Sequence, residues 1–186
     1  MAAGPAQRRV EAIVGQPLCL TRRALDLRIF HFGRLRVEGK RTYGQWALHI
    51  ACPWRIDGPG GLLTGSGDAR HLATPGRTGV PPDRAADITE ITVQDVALGA
   101  MLGVYPEKLA AMMAPPDAFV VSDLAIGAGF ALTLTFAPGR ERLTVMPDGT
   151  QDESWRFFSL DSDDPHLVIL GDRIEEDDDD EVRPAW

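Results

Sequence analysis

Cysteine is scarce: Cys19 and Cys52 are the two in 186 residues. Their wide spacing excludes a CxxC zinc knuckle or thioredoxin-type pair, so free, partly buried thiols are expected. No run reaches the roughly 18–20 apolar residues that a membrane-crossing helix needs. The first residues lack a basic stretch leading into an apolar signal core. No membrane insertion and a cytoplasmic location are therefore the expectation. Basic charge is in deficit, with 19 Lys and Arg against 27 Asp and Glu and a net charge of −8. That balance disfavours nonspecific nucleic-acid binding, which rests on phosphate neutralisation.

Familiar catalytic signatures are also missing. The chain contains no HExxH zinc motif, no GxSxG nucleophile elbow, no complete P-loop and no GxGxxG in a βαβ setting. No cofactor and no metal site is expected. What the chain does have is 44% hydrophobic residues, enough for one domain with a sizeable core.

The segment from Leu18 to Ile56 organises that reading. Leu25, Leu27 and Ile29 alternate with Asp26, Arg28, Phe30 and Phe32. Further on, Trp46, Leu48, Ile50 and Cys52 alternate with Ala47, His49 and Ala51. Period-two runs of branched and aromatic residues specify strands. Glu38-Gly39-Lys40 supplies the reversal, since Gly39 accepts positive φ without a Cβ penalty. A three-residue turn there sets Val37 against Arg41, Phe32 against Trp46, Phe30 against Leu48, and His49 across from Ile29. Apolar residues on both faces imply a hairpin covered on both sides, or one passing between two sheets. Phe30, Trp46 and Leu48 are the expected anchors, and Trp46→Ala should cost roughly 3–5 kcal/mol if the ring is fully buried.

Pro53 and the Asp57-Gly58-Pro59-Gly60-Gly61 cluster end this region, and Leu62-Leu63-Thr64 reads as a short returning strand. Residues 70–87 carry prolines and glycines without a period and read as a loop. Thr92 with Asp95 three residues later forms a capping-box pair opening a helix that Gly103 ends. A second short helix is expected from Pro106 to Met113. The pair has a loose helix-turn-helix spacing but no basic recognition face, so a structural role is favoured over DNA reading.

Phe130 to Phe136 alternates cleanly, placing Phe130, Leu132, Leu134 and Phe136 on one face. Together with strands near Phe119, Leu143, Trp155 and Leu167 it suggests an antiparallel meander. The fold class expected is α+β, predominantly β: antiparallel sheets forming a sandwich or partly open barrel, with one or two short helices around 92–113. Residues 1–16 are expected to be a flexible lead, 17–174 a single β-rich domain, and 175–186 an acidic solvated tail.

Two candidate sites follow. At the outer end of the hairpin, Trp54, Arg55 and Asp57 combine an apolar platform, a cation and an acceptor, suiting a ligand or partner. Alternatively, His31, His49 and Cys52 line a pocket in which imidazole shuttles a proton and the thiol attacks. Against this second site, His49 and Cys52 are three residues apart and fall on opposite faces of a regular strand. Arg28, an ion within an apolar strand, is expected to pair with Asp26 or to reach water.

The run Tyr43-Gly44-Gln45-Trp46-Ala47-Leu48-His49-Ile50-Ala51-Cys52-Pro53-Trp54-Arg55-Ile56 and the meander from Leu132 to Phe157 resemble a family of small, largely uncharacterised bacterial proteins. Some of these are reminiscent of toxin-immunity proteins. The resemblance implies an interaction role and supplies no catalytic residues. A binding or protein-interaction domain is accordingly the leading expectation. Its partner is a protein or a second copy forming a homodimer, with a small molecule left open. A small-molecule enzyme using the histidine–cysteine pocket is the alternative.

Overall fold

The computed structural model describes residues 4–74, 91–104 and 112–177. Within them the chain forms two antiparallel sheets with two short α-helices, matching the mainly-β α+β class. The first six strands are β1 (Leu18–Ala24), β2 (Leu27–Phe32), β3 (Arg36–Glu38), β4 (Arg41–Tyr43), β5 (Trp46–Ile50) and β6 (Trp54–Gly58). Then come β7 (Gly61–Gly65), β8 (Met112–Met113), β9 (Val120–Ile126), β10 (Leu132–Ala137) and β11 (Arg142–Val145). The last three are β12 (Glu153–Ser159), β13 (His166–Leu170) and β14 (Arg173–Asp177). One sheet runs β14-β13-β12-β5-β2-β1-β8, the other β7-β6-β11-β10-β9, and β3 with β4 forms a small ribbon.

The two sheets pack face to face and are stitched at two corners. The chain crosses between them after β5 and again after β11, and the crossings lie side by side. Ala51 and Cys52 both donate backbone N–H groups to the Ser154 carbonyl, and Met146 donates to that of Pro53. β6 therefore neighbours β11 while β5 neighbours β12. At the second corner Leu18 donates to Phe119 and Val121 to Gln16, tying the start of β1 to β9. The expected meander is thus split: β9–β11 belong to one sheet and β12–β14 to the other. Turn residues 147–150 mark a reversal equally well for a hairpin and for a sheet change, so composition does not separate the two.

The β2–β5 register is the expected one, although it does not arise from the expected three-residue turn: Phe30 lies opposite Leu48, Phe32 opposite Trp46 and Ile29 opposite His49. Its tip differs. Gly39-Lys40 is a two-residue turn that sets Glu38 against Arg41 and Val37 against Thr42. The odd residue is taken up lower, where 33–35 oppose only 44–45, and Gly33 at φ +82° provides the bend. Leu25, expected within the strand, instead sits at the β1–β2 turn with φ +54° and is 90% exposed.

Between the sheets lie Phe30, Phe32, Leu48, Ile50 and Trp155 from one side and Trp54, Ile56, Leu132, Leu134 and Phe136 from the other. Phe30 meets Trp54 edge-on at 5.7 Å, and the Trp155 indole N–H donates to the Phe130 carbonyl at 3.0 Å. Each such ring contributes about 1.5–3 kcal/mol by leaving water. Trp46 is only half-buried while Trp155 is fully buried, so the large truncation cost belongs to Trp155. The seven-stranded sheet is buried on its outer face too, where Leu20, Ile29 and Ala47 are inaccessible.

Three further expectations change. Residues 4–10 are a helix, α1 (Gly4–Val10), with Ala6 and Val10 fully buried in the core, rather than a flexible lead. Small side chains at this spacing let the helix sit close against β9. The acidic run begins inside β14, where Glu175 pairs with Val168 and Glu176 with Leu167. α2 (Val93–Leu102) carries the expected capping box between Thr92 and Asp95 and ends at Gly103 in the left-handed region. The second helix falls largely on 105–111, outside the described residues. Met112 and Met113 form a short edge strand instead, pairing with Thr21 and Leu20. Of the expected 70–87 loop, Leu72 bridges to Thr92, and 75–87 lie outside the described residues.

Candidate functional site: an aromatic cleft

β12 ends with Phe157-Phe158-Ser159, and alternation sends Phe157 toward the core and Phe158 to the other face. Ser159 pairs with Trp46 at the start of β5, which lays the Trp46 indole over the Phe157 ring, stacked at 5.6 Å and 10°. Phe158 is fixed by two imidazoles, stacked on His166 at 4.0 Å and edge-on to His49 at 5.0 Å. Buried Ala6 and Val10 hold α1 so that Arg9 leans over this strand end. Its guanidinium donates to Glu176 of β14 at 3.2 Å and to the Pro165 carbonyl. Between them opens a cleft of about 340 Å³ whose wall includes Asp164. That volume lies within the roughly 300–1,000 Å³ range of small-molecule sites, and an apolar floor with a few polar groups suits one.

The sequence-predicted residues lie elsewhere, except that His49 supports the cleft from behind through Phe158. Arg55 and Asp57 share the exposed face of β6, the Arg55 Nε donating to an Asp57 oxygen at 2.9 Å. Trp54 points the opposite way, 3% exposed in the core, so it presents no platform beside them. Adjacent strand residues alternate, and Trp54 and Arg55 obey that rule.

The trio of the enzyme alternative does not assemble. His31 and His49 share the outer face of the seven-stranded sheet, whereas Cys52 joins the inter-sheet core. The Cys52 thiol donates to the Pro53 carbonyl at 3.7 Å, and burial, reinforced by Asp148, pushes it up to about 12. His31 accepts the Gly44 amide at 3.3 Å on its Nδ1. Burial drives both imidazoles down to about 3; Arg22 and His49 add to the effect on His31, and Arg156, His166 and Arg22 to that on His49. Both imidazoles are thus held neutral and the thiol protonated at pH 7. The thiol beside His31 is Cys19, which donates to its carbonyl at 3.3 Å and is itself raised by burial to about 11.

A second polar cluster escaped the sequence reading. Arg28 is 1% exposed and pairs with Asp95 of α2 at 3.0 Å, not with Asp26, which is exposed. Arg23 approaches the same carboxylate at 3.4 Å, and Thr92 donates its N–H and hydroxyl at 3.0 and 2.8 Å. Asp95 thus caps its helix and anchors it to the sheet. Among the described residues Arg28 Nε and Nη2 have no hydrogen-bond partner, and burial lowers this guanidinium to about 10 against the opposing pull of Asp95. An ion in an apolar strand was the available signal; its partner, 67 residues on, was not legible.

Among the described residues no cluster of three or more His, Cys, Asp or Glu side chains is placed to hold a metal ion. None of the described helices is long and apolar enough to cross a membrane. Fold and cleft together define a two-sheet α+β protein with an aromatic-floored opening at one end. Comparison of the chain with protein-family models, with curated proteins and with solved structures gave no match.

Proposed function

We propose that the chain is a binding domain whose ligand site is the cleft between α1, β5, β12 and β14. The observation carrying this reading is the half-buried Trp46 indole, held against the buried Phe157 ring, at the wall of a ligand-sized opening. Among the described residues its lining combines apolar surface from Trp46, Phe157 and Phe158 with a few charges. The cytoplasm is its proposed compartment, in keeping with two unpaired cysteines. Saturation-transfer NMR with a small set of neutral aromatic fragments tests the site. Hits should lose most of their signal with Trp46→Ala and keep it with Arg55→Ala. Equal signal from the Trp46 variant and the parent chain would refute the assignment.

A protein partner on the exposed face of the five-stranded sheet is the second reading. There Arg55 and Asp57 stand beside Thr144 and Arg142 on β11, with Thr133 and Thr135 on β10 completing a flat polar surface. Trp54 has no part in it.

A further inference from the structure

Resting on that reading, we infer that the cleft selects an organic cation, an ammonium or guanidinium carried on a short apolar stem. Asp164 and Glu176 supply two carboxylates to its wall, against one guanidinium, Arg9, among the described lining residues. Arg9 and Glu176 are paired with each other, and Arg9 also donates to the Pro165 carbonyl, so the unbalanced charge at the wall is the negative one of Asp164. Asp164 accepts a neutral hydroxyl from Ser162 at 2.7 Å, and among the described residues no cation pairs with it, so its charge is available at the opening. Indole is the aromatic face that attracts a cation most strongly, and Trp46 stands half-buried with its ring set by Phe157. A net charge of −8 over the chain favours approach of the same ligand class. The cation is either a free amine or the side chain of a basic protein segment; the recognising chemistry is shared.

Three probes with one ring separate charge from shape: benzylamine, benzyl alcohol and benzoate. Each is titrated into the ¹⁵N-labelled full chain at pH 7 and constant ionic strength, following amide and indole signals. Benzylamine should shift Trp46 and Phe158 saturably, with a Kd at least about fivefold below that of the alcohol and benzoate weakest. In the Asp164→Asn/Glu176→Gln variant, checked for folding by its unperturbed spectrum elsewhere, that preference should fall below about twofold. Agmatine and acetyl-Gly-Arg-Gly-amide distinguish the sources. Tighter binding of the peptide marks a protein side chain as the ligand, and tighter agmatine marks a free amine. Equal Kd values for the three ring probes, or benzoate binding tightest, would overturn the cation inference and leave the cleft as a site. No localised shift with any probe would overturn both.

Discussion

Replacing Asp95 with Asn keeps the shape of the side chain and removes its charge, which isolates what the carboxylate does for Arg28. Arg28 is 1% exposed and Asp95 fully buried, so no water is at hand to take the carboxylate's place. Stripping one partner from a buried pair leaves an uncompensated ion and costs roughly 3–5 kcal/mol. Two Arg28 nitrogens already lack partners among the described residues, which places the expected loss toward the upper end. Against a total stability of about 5–15 kcal/mol for a domain, this is a large fraction. With a urea slope of roughly 2–3 kcal/mol/M, the unfolding midpoint should fall by about 1–2.5 M. Thr92→Ala removes the helix cap while leaving the ion pair, and should cost only about 1 kcal/mol.

The decisive arm is Arg28→Met added to Asp95→Asn. Removing the stranded cation should restore most of the lost stability, because no buried ion is then left without its partner and the amide oxygen can still accept from Thr92. Equilibrium urea unfolding, followed by fluorescence and circular dichroism, reads all four proteins. A loss under about 1 kcal/mol for Asp95→Asn, or a double variant weaker than Asp95→Asn alone, would refute the reasoning. The docking of α2 would then rest on Leu98 and Leu102, its fully buried apolar contacts.

His31 and His49, held near 3 in the fold, make the protein acid-sensitive. Above their ordinary value of about 6.5 both states are neutral; below it only the unfolded chain takes up protons, so stability falls with falling pH until about 3. Each histidine contributes about 1.4 kcal/mol per pH unit in that window. The His31→Gln/His49→Gln variant should show a visibly flatter fall between pH 6 and 4, and parallel curves would contradict this. A Cβ at Gly44 would meet Cys19 Sγ at 2.7 Å, the Phe32 oxygen at 2.8 Å and His31 Cβ at 2.9 Å. Gly44→Ala should therefore cost about 1–3 kcal/mol, whereas Gly60→Ala, with open space around it, should stay within about 0.5 kcal/mol in the same denaturation experiment. Both thiols, raised by burial to about 11 and 12, should resist iodoacetamide at pH 8 until the chain unfolds; rapid labelling of the native protein would show that they are reachable.

The alternation of apolar residues by itself determined the strands and which residues share a face, because side-chain direction in a strand is a local, period-two property. The Phe30–Leu48 register depends instead on how many residues the turn and the bend below it absorb. The capping box at Thr92 was equally legible, since its two partners sit three residues apart. Tertiary structure alone decided which sheet each late strand joins. A Pro-Asp-Gly reversal carries the same local signal whether the chain returns to its neighbour or crosses the core. It also decided that Trp54 faces inward to Phe30 while Trp46, equally apolar on paper, is left half-open. The Arg28–Asp95 pair and the cleft under Arg9 depend on elements far apart in the chain meeting in space. Local propensity has no term for such meetings, and burial supplies the energy that fixes them.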